Sequence, residues 1–480
     1  MENVSLIIEN TCIITMDKGL RILENYSIAV KDSIILAIEP TEIISEKYTS
    51  PKVIDGQDQF VFPGFINTHT HLFQNGLKGL GRDKLLFDWL DSSVRKALPE
   101  IRYDDVYASA VAGCIENIRS GVTTVLDYMY AHASEMGLDD AVIQAFDETG
   151  IRGILGRAHT KTSNMPKEII CPINETEDMF FEDIDRLMKK LEGHPRITLA
   201  LAPGIIWDMS EGGYRKVREY ANKYGLRIAM HVDETPNDDE YSQAKYGVNT
   251  LELLDRNGVL GEDFIGVHLV NLDQKSLDLL QKRQVKVSHN PVSNMILASG
   301  VAPIPLLSKL GLDIGLATDG AASNDSQNML EVIKITAILH KCIQRDPTIF
   351  PAIEVLKMAT INGAKVVGRE DEIGSIEIGK KADFFLFNPK NIACVPVADP
   401  VSSLVYSANP SAIGTVVIHG KVVMENGKMC TVDEEKAIYH LQESAYRLRE
   451  RVGLANIVNG KKIVVPPFHK SSEIKVTPSE

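Results

Sequence analysis

Apolar and polar positions alternate in different ways along successive stretches of the chain, and each pattern predicts its own kind of element. Across residues 1–58, short β-rich runs at Ser5–Ile8, Cys12–Thr15, Ser27–Val30 and Ile34–Ile38 are separated by Asn, Asp, Lys and Gly, which predicts a small sheet. The pattern changes at Phe60-Val61-Phe62-Pro63-Gly64, after which apolar runs alternate with segments of helical periodicity. Eight runs read as strands: Phe65–Thr68, Val122–Asp127, Ile151–Gly156, Ile197–Ala202, Arg227–Met230, Phe264–Val267, Val285–Ser288 and Asp313–Ala317. Most are continuously apolar, as parallel strands covered on both faces are. The segments between them include Tyr103–Arg119, Asp183–Leu191, Tyr214–Tyr224, Gln274–Lys282 and Met329–Lys341 as helices, and a further helix is expected over Ala352–Val367. Eight βα units predict an α/β chain with a closed (β/α)8 TIM barrel over residues 59–371 rather than an open doubly wound sheet.

Strand patterning returns at Thr415–Ile418 and Lys421–Met424, beside the turn signals His419-Gly420 and Asn426-Gly427. Two marginal strand clusters gain stability by pairing. Residues 1–58 and 372–450 are therefore expected to form one small discontinuous β-sandwich domain. Glu434–Arg451 reads as a charged surface helix and residues 451–480 as a C-terminal tail, mobile from Lys470 onward.

Composition acts mainly by exclusion. With 44% hydrophobic and 24% charged residues the chain can fill a core. A formal net charge of −14, with no Lys/Arg-rich run, argues against nucleic acid and anionic lipid as partners. No apolar run reaches the ~18 residues of a membrane span, and Met1–Ser5 has no basic segment of a secretory signal, so a cytoplasmic protein is expected. Six cysteines (Cys12, Cys114, Cys171, Cys342, Cys394 and Cys430), with no Cys-x-x-Cys pair, read as reduced thiols rather than disulfides or zinc thiolates.

Candidate chemistry gathers where the barrel strands end. His69-Thr70-His71 follows the first strand, and residues two apart in an extended segment point to one side, so both imidazoles can reach one cation. His231 closes the fifth strand, His268 the sixth, and Asp319 follows the eighth. In a (β/α)8 barrel these ends surround one mouth. Any one of them reads equally as a core histidine or a helix-capping aspartate, but for all four ends that reading needs repeated coincidence. Imidazoles and a carboxylate suit one divalent metal ion, zinc first, with iron, manganese or nickel able to use the same ligands, and leave a position for water. A single metal is expected because no lysine follows the first strands to bridge a second, and the fourth strand ends Ala202-Pro203-Gly204. Glu234, three residues past His231, can take a proton from water at the metal and carry it to a ring nitrogen or a leaving amine. The alternative for Glu234 is a solvated loop acid, a role that suits neighbouring Asp233 better.

These residues, together with Ser288-His289-Asn290-Pro291-Val292-Ser293-Asn294-Met295 and Thr318-Asp319-Gly320-Ala321-Ala322-Ser323-Asn324, resemble the amidohydrolase superfamily. Within it they resemble the branch of S-adenosylhomocysteine/methylthioadenosine, guanine and 8-oxoguanine deaminases and triazine chlorohydrolases. The likeness spans nearly the whole chain, including the Gly379-Lys380-Lys381-Ala382-Asp383 stretch. It implies a hydrolase acting on carbon–nitrogen bonds in cyclic amidines, working as a homodimer or higher homo-oligomer. It further implies that His69, His71, His231 and Asp319 bind the metal, that Glu234 shuttles protons, and that His268 orients the attacking water beside the metal rather than binding it. Glu234, His268 and Asp319 then form the catalytic set.

Gln74 matches a glutamine that, in guanine-type relatives, bonds the heterocycle edge; its other reading is a polar loop residue. Trp207 offers a stacking face or plain packing, and His268 also faces substrate. Where adenosine-type relatives have a Pro-His pair, this chain has Pro203-Gly204. The expectation that results is a hydrolytic deaminase of an aminated, oxo-bearing heterocycle such as a purine, pterin or hydroxytriazine. The alternatives are an S-adenosylhomocysteine/methylthioadenosine-type deaminase and a chlorohydrolase or alkylaminohydrolase of triazine-like rings. A non-catalytic assembly barrel would be expected to lack ligands that are all present here.

Overall fold

The computed structural model describes residues 1–132, 137–160, 175–458 and 460–468. Eight strands, each parallel to the next, make the barrel: Phe65–Thr70, Val122–Met129, Arg152–Ala158, Ile197–Ala202, Ile228–Val232, Phe264–His268, Lys286–His289 and Ile314–Leu316. The first and eighth are joined by bonds across the seam, where Asp319 N donates to His69 O at 3.1 Å and Thr68 Oγ1 to Leu316 O at 3.0 Å. Every residue of Val122–Met129 and Arg152–Ala158 is buried, as strands enclosed by helices outside and side chains inside must be.

The helices between them follow their apolar stripes. Glu177–Lys190 buries Phe180, Phe181, Ile184 and Leu187 along one face, and its N-terminus is capped by Thr176 Oγ1, which accepts from Met179 N. The expected helix over Ala352–Val367 is instead two helices, Ala352–Ala359 and Ile361–Val367. Thr360 breaks them with φ −124° and ψ −101°, while its hydroxyl bonds back to Leu356 O at 2.7 Å. Six strands also run further than their apolar patterns: the first to Thr70, the second to Met129, the third to Ala158, the fifth to Val232, the sixth to His268 and the seventh to His289. Ladder pairing extends them past their apolar residues, since Val232 pairs in register with His268.

Both chain ends enter one nine-stranded sheet. Its middle strands, Phe60–Pro63 and Phe384–Phe387, lie antiparallel, with Phe62 and Phe385 stacked at 5.8 Å. Leu6–Ile14, Ile22–Lys31 and Ile34–Pro40 extend it on one side, and Ile413–Ile418, Lys421–Glu425 and Lys428–Met429 on the other. Val53–Asp55 pairs with Leu6–Ile14. Ile8, Ile28, Val61, Phe384 and Val417 share one buried cluster, so the sheet encloses a core of its own. Arg152 at the start of the third barrel strand ties sheet to barrel: its Nε and Nη2 meet Asp383 Oδ2 and Oδ1 at 2.8 and 3.0 Å, both side chains fully buried. Among the described residues no helix is long and apolar enough to cross a membrane. Cys12, Cys114, Cys342, Cys394 and Cys430 are free thiols; Cys171 and the tail from Lys470 lie outside the described residues.

Candidate active site

His69 and His71 lie two residues apart at the end of the first strand, their ring centroids 4.6 Å apart. Asp319 reaches them from the eighth-strand end, its Oδ1 3.5 Å from His69 Nε2 and 3.4 Å from His71 Nε2. Its φ of +60° is a left-handed conformation, held by the bond from its N–H to His69 O and by Gly320 N donating to Oδ1 at 2.6 Å. His231, near the end of the fifth strand, brings Nε2 to 3.3 Å from His71 Nε2. His71 donates its Nδ1 proton to Tyr128 O at 2.7 Å, which leaves Nε2 with a lone pair facing the cluster.

Burial holds these imidazoles neutral: His71 is lowered to about 3, His69 falls below its ordinary range and His231 well below it, helped by the neighbouring rings. Burial alone would raise Asp319, but the imidazoles around it, His69 with Nε2 3.5 Å from Oδ1 first, then His268 and His71, keep it ionised, well below the ordinary carboxylate range. Both ring nitrogens of His69 and Nδ1 of His231 are buried with no hydrogen-bond partner among the described residues. Buried polar atoms in that state call for a partner, and neutral nitrogens around one carboxylate are the donor set of a zinc-type cation. The ligand atoms of His69, His71 and Asp319 lie within 4.8 Å of one another, as do those of His69, His231 and His268. His268 has other ties: Nδ1 bonds Asn294 Oδ1 at 2.8 Å, and Nε2 is 3.6 Å from Glu234 Oε2.

Glu234 lines the same cavity as His71, His231, His268 and Asp319, and its Oε1 accepts from Ser299 Oγ at 3.0 Å. Burial raises its carboxyl above the usual range. Asp233 is not the solvated loop acid it seemed in sequence: it is 1% exposed and faces Asp238, Asp239 and Asp273, which with burial push its carboxyl well up. The backbone makes this division. Asp233 has φ +51°, and its carbonyl accepts from Val270 N and Asn271 N at 3.0 and 2.9 Å, so the chain turns sharply between the two acids.

The cavity holds about 930 Å³ of space free of protein atoms, its open mouth included. Gln74 lines it from the short helix Leu72–Leu77; its Nε2 donates to Tyr130 Oη at 2.7 Å and its buried Oε1 has no hydrogen-bond partner among the described residues. Trp207 also lines it, 2% exposed, between the rings of Phe87 and Tyr241, each 5.8 Å away. Gly204 has φ +89°, and a Cβ there would meet Asp208 Oδ2 at 2.4 Å and His159 O at 2.5 Å, so the turn admits no side chain as it stands.

Residues 60–423 match the amidohydrolase family. The chain belongs to the amidohydrolase family. Among curated relatives, a 5-methylthioadenosine/S-adenosylhomocysteine deaminase of Acetivibrio thermocellus is 35% identical over 93% of this chain and 100% of its own. A 5'-deoxyadenosine deaminase of Methanosarcina acetivorans is 34% identical over 93% and 99%. Among solved structures, an adenosine deaminase from Xanthomonas campestris with bound zinc superposes with a TM-score of 0.86, at 27% identity over 94% of this chain and 99% of that one. A mutant atrazine chlorohydrolase from Arthrobacter aurescens, complexed with zinc and atraton, gives 0.85 at 24% identity over 92% and 100%, a likeness of fold.

This amidohydrolase is accordingly a hydrolase of carbon–nitrogen bonds in cyclic amidines. Several residues of its site had no place in the sequence reading. Asn294 lies in the motif noted there, but its bond to His268 did not. Ser299 on Glu234, and Tyr128 and Tyr130 at the second-strand end, carry no motif of their own. The alternation of Tyr128 and Tyr130 was the one available signal, since positions two apart on a strand share a face.

Proposed function

We propose that this amidohydrolase is a zinc-dependent aminohydrolase of adenine nucleosides altered at the 5' carbon, replacing the ring amino group by an oxo group and releasing ammonia. The observation that carries the reaction is the placing of Glu234 and His268 on one cavity wall beside His69, His71, His231 and Asp319. The last four would hold the cation. When bound, it would supply Lewis acidity, making a water more acidic and polarising the ring carbon to be attacked. Glu234 takes a proton from the attacking water and delivers it to the departing nitrogen. His268, its Nδ1 engaged by Asn294, aims Nε2 at the water and at the oxygen developing on the ring. The amidine carbon thus gains a C–O bond and loses its C–N bond, and of the water's two protons one leaves in ammonia while the other ends on the ring nitrogen as the lactam N–H.

The names of the relatives support the nucleoside, which the sequence reading held as its alternative. A second reading, the oxo-bearing purine, pterin or hydroxytriazine preferred from sequence, is favoured by one feature: the buried, unpartnered Gln74 Oε1 offers an acceptor to a lactam N–H. Ammonia release by the zinc-loaded enzyme decides, measured as kcat/KM on 5'-deoxyadenosine, 5'-methylthioadenosine and S-adenosylhomocysteine against guanine, 8-oxoguanine, a pterin and an aminotriazine. The nucleosides should lead by at least ~100-fold, as expected of a site built for particular polar groups. A lead for the oxo-bearing rings transfers the assignment to the second reading, and chloride or alkylamine release in place of ammonia refutes both.

A further inference from the structure

Tyr128 and Tyr130 both line the cavity from the second-strand end, yet their hydroxyls are used differently. Tyr128 Oη donates to Gly204 O at 2.8 Å and accepts from Gly204 N at 3.1 Å, so its proton is committed to holding that turn. Tyr130 Oη accepts from Gln74 Nε2 at 2.7 Å, and among the described residues its own proton meets no acceptor. The phenol cannot swing far. Its ring stands edge-on to His71 and Phe73, with centroids 4.9 and 4.7 Å away and the planes at 86° and 90°. Burial, with the Asp319 and Glu234 carboxylates nearby, pushes this phenol up, so the proton stays on the oxygen. Once Gln74 occupies one lone pair, the O–H can turn only to the remaining directions, and the cavity that Tyr130 shares with Glu234 and Asp319 offers them a ligand.

We infer that Tyr130 is a specificity-determining residue whose hydroxyl, oriented by Gln74, donates its proton to a nitrogen of the substrate ring. The nitrogen must be one that the reaction leaves alone. In an adenine nucleoside N9 carries the sugar and N1 receives the lactam proton, which leaves N3 and N7, both acceptors. Either would give the Tyr130 proton the partner that the protein withholds, and a buried donor left without one costs free energy. The inference rests on the proposed reading only in seating an adenine ring in this cavity.

The test removes each side of the bond in turn. Kd is measured by calorimetry on zinc-loaded Glu234→Gln, which binds without turning over, for 5'-deoxyadenosine and for its 3-deaza and 7-deaza analogues, in each of which one nitrogen becomes C–H. One analogue should bind about 5- to 30-fold more weakly than the parent, the range for a hydrogen bond whose donor is left unpaired. Adding Tyr130→Phe should weaken the parent by a similar factor and leave that analogue within ~3-fold, because the two changes delete the same interaction. The other analogue should fall with the parent. The one that no longer responds identifies the nitrogen. With Glu234 intact, Tyr130→Phe should raise KM for the parent by the same factor while kcat stays within ~3-fold. A tyrosine that only braced Gln74 would, on losing its hydroxyl, weaken all three ligands equally, and that result overturns the inference. So does a Glu234→Gln enzyme that binds both analogues as tightly as the parent. Should Tyr130→Phe fail to fold, Tyr130→Met, which also lacks the hydroxyl, carries the comparison. If guanine releases ammonia and the nucleosides do not, the proposed function falls, while guanine with its 3-deaza and 7-deaza analogues, titrated in the same way, still decides the hydroxyl.

Discussion

Glu234 and Asp233 are chemically near-identical neighbours with opposite surroundings. Glu234 meets His268 and Ser299, groups able to give and receive protons, whereas Asp233 is buried facing other carboxylates. Replacing Glu234 by Gln keeps the shape and should leave metal content unchanged while kcat falls at least ~100-fold, measured by metal analysis and steady-state kinetics; near-wild-type turnover would exclude it as the proton carrier. The pH dependence follows from burial, which raises the Glu234 carboxyl above its usual range. A base works only when deprotonated, so kcat/KM should climb as pH rises through that elevated value and fall below it. The acid limb of a pH profile should therefore lie higher than for an ordinary carboxylate, and placing it at or below the ordinary range would contradict the assignment.

The helix Glu434–Val452 looks from its charge pattern like a surface decoration, yet it braces the site. Ala445 and Leu448 are buried, Ser444 Oγ donates to Asp105 Oδ1 at 2.5 Å, and Arg119 clamps Glu434 at its start. Near its end Arg449 Nη2 donates to Gly76 O and Lys78 O at 3.4 and 3.0 Å, holding the C-terminal turn of the short helix that carries Gln74. Arg449→Ala leaves those carbonyls without their donor and should cost about 1–3 kcal/mol in urea unfolding. KM should move more than kcat, because Gln74 shifts while Glu234 does not. An unchanged midpoint and unchanged kinetics would return the helix to the decorative role.

At the scale of the whole molecule, the Arg152–Asp383 pair is the main polar tie between barrel and sheet, and Asp383 also accepts from His419 N at 2.7 Å. Asp383→Ala strands a guanidinium in a fully buried place and should cost about 3–5 kcal/mol, seen as a clear fall in Tm. Removing both charges, as Arg152→Met with Asp383→Leu, should recover much of that loss, since the penalty comes from the unpaired charge more than from the missing attraction. A double variant no more stable than the single one would show that packing at this junction, rather than charge, dominates.

Sequence alone determined whatever is encoded in local repeats. The eight strands and most helices could be read because hydrophobic periodicity is a property of neighbouring residues, and His69-Thr70-His71 because a spacing of two has one meaning on a strand. It also brought His231, His268 and Asp319 to one mouth, because barrel closure dictates where strand ends meet. Where the strands stop was not legible, since ladder partners far away in sequence extended the first to Thr70 and the sixth to His268. Nor was the break at Thr360, which depends on one backbone angle. Tertiary structure alone turned Asp233 away from the cavity and Glu234 into it. Burial, the bond each polar atom lacks and the proton affinity that follows arise from residues hundreds of positions apart, and no local pattern contains them.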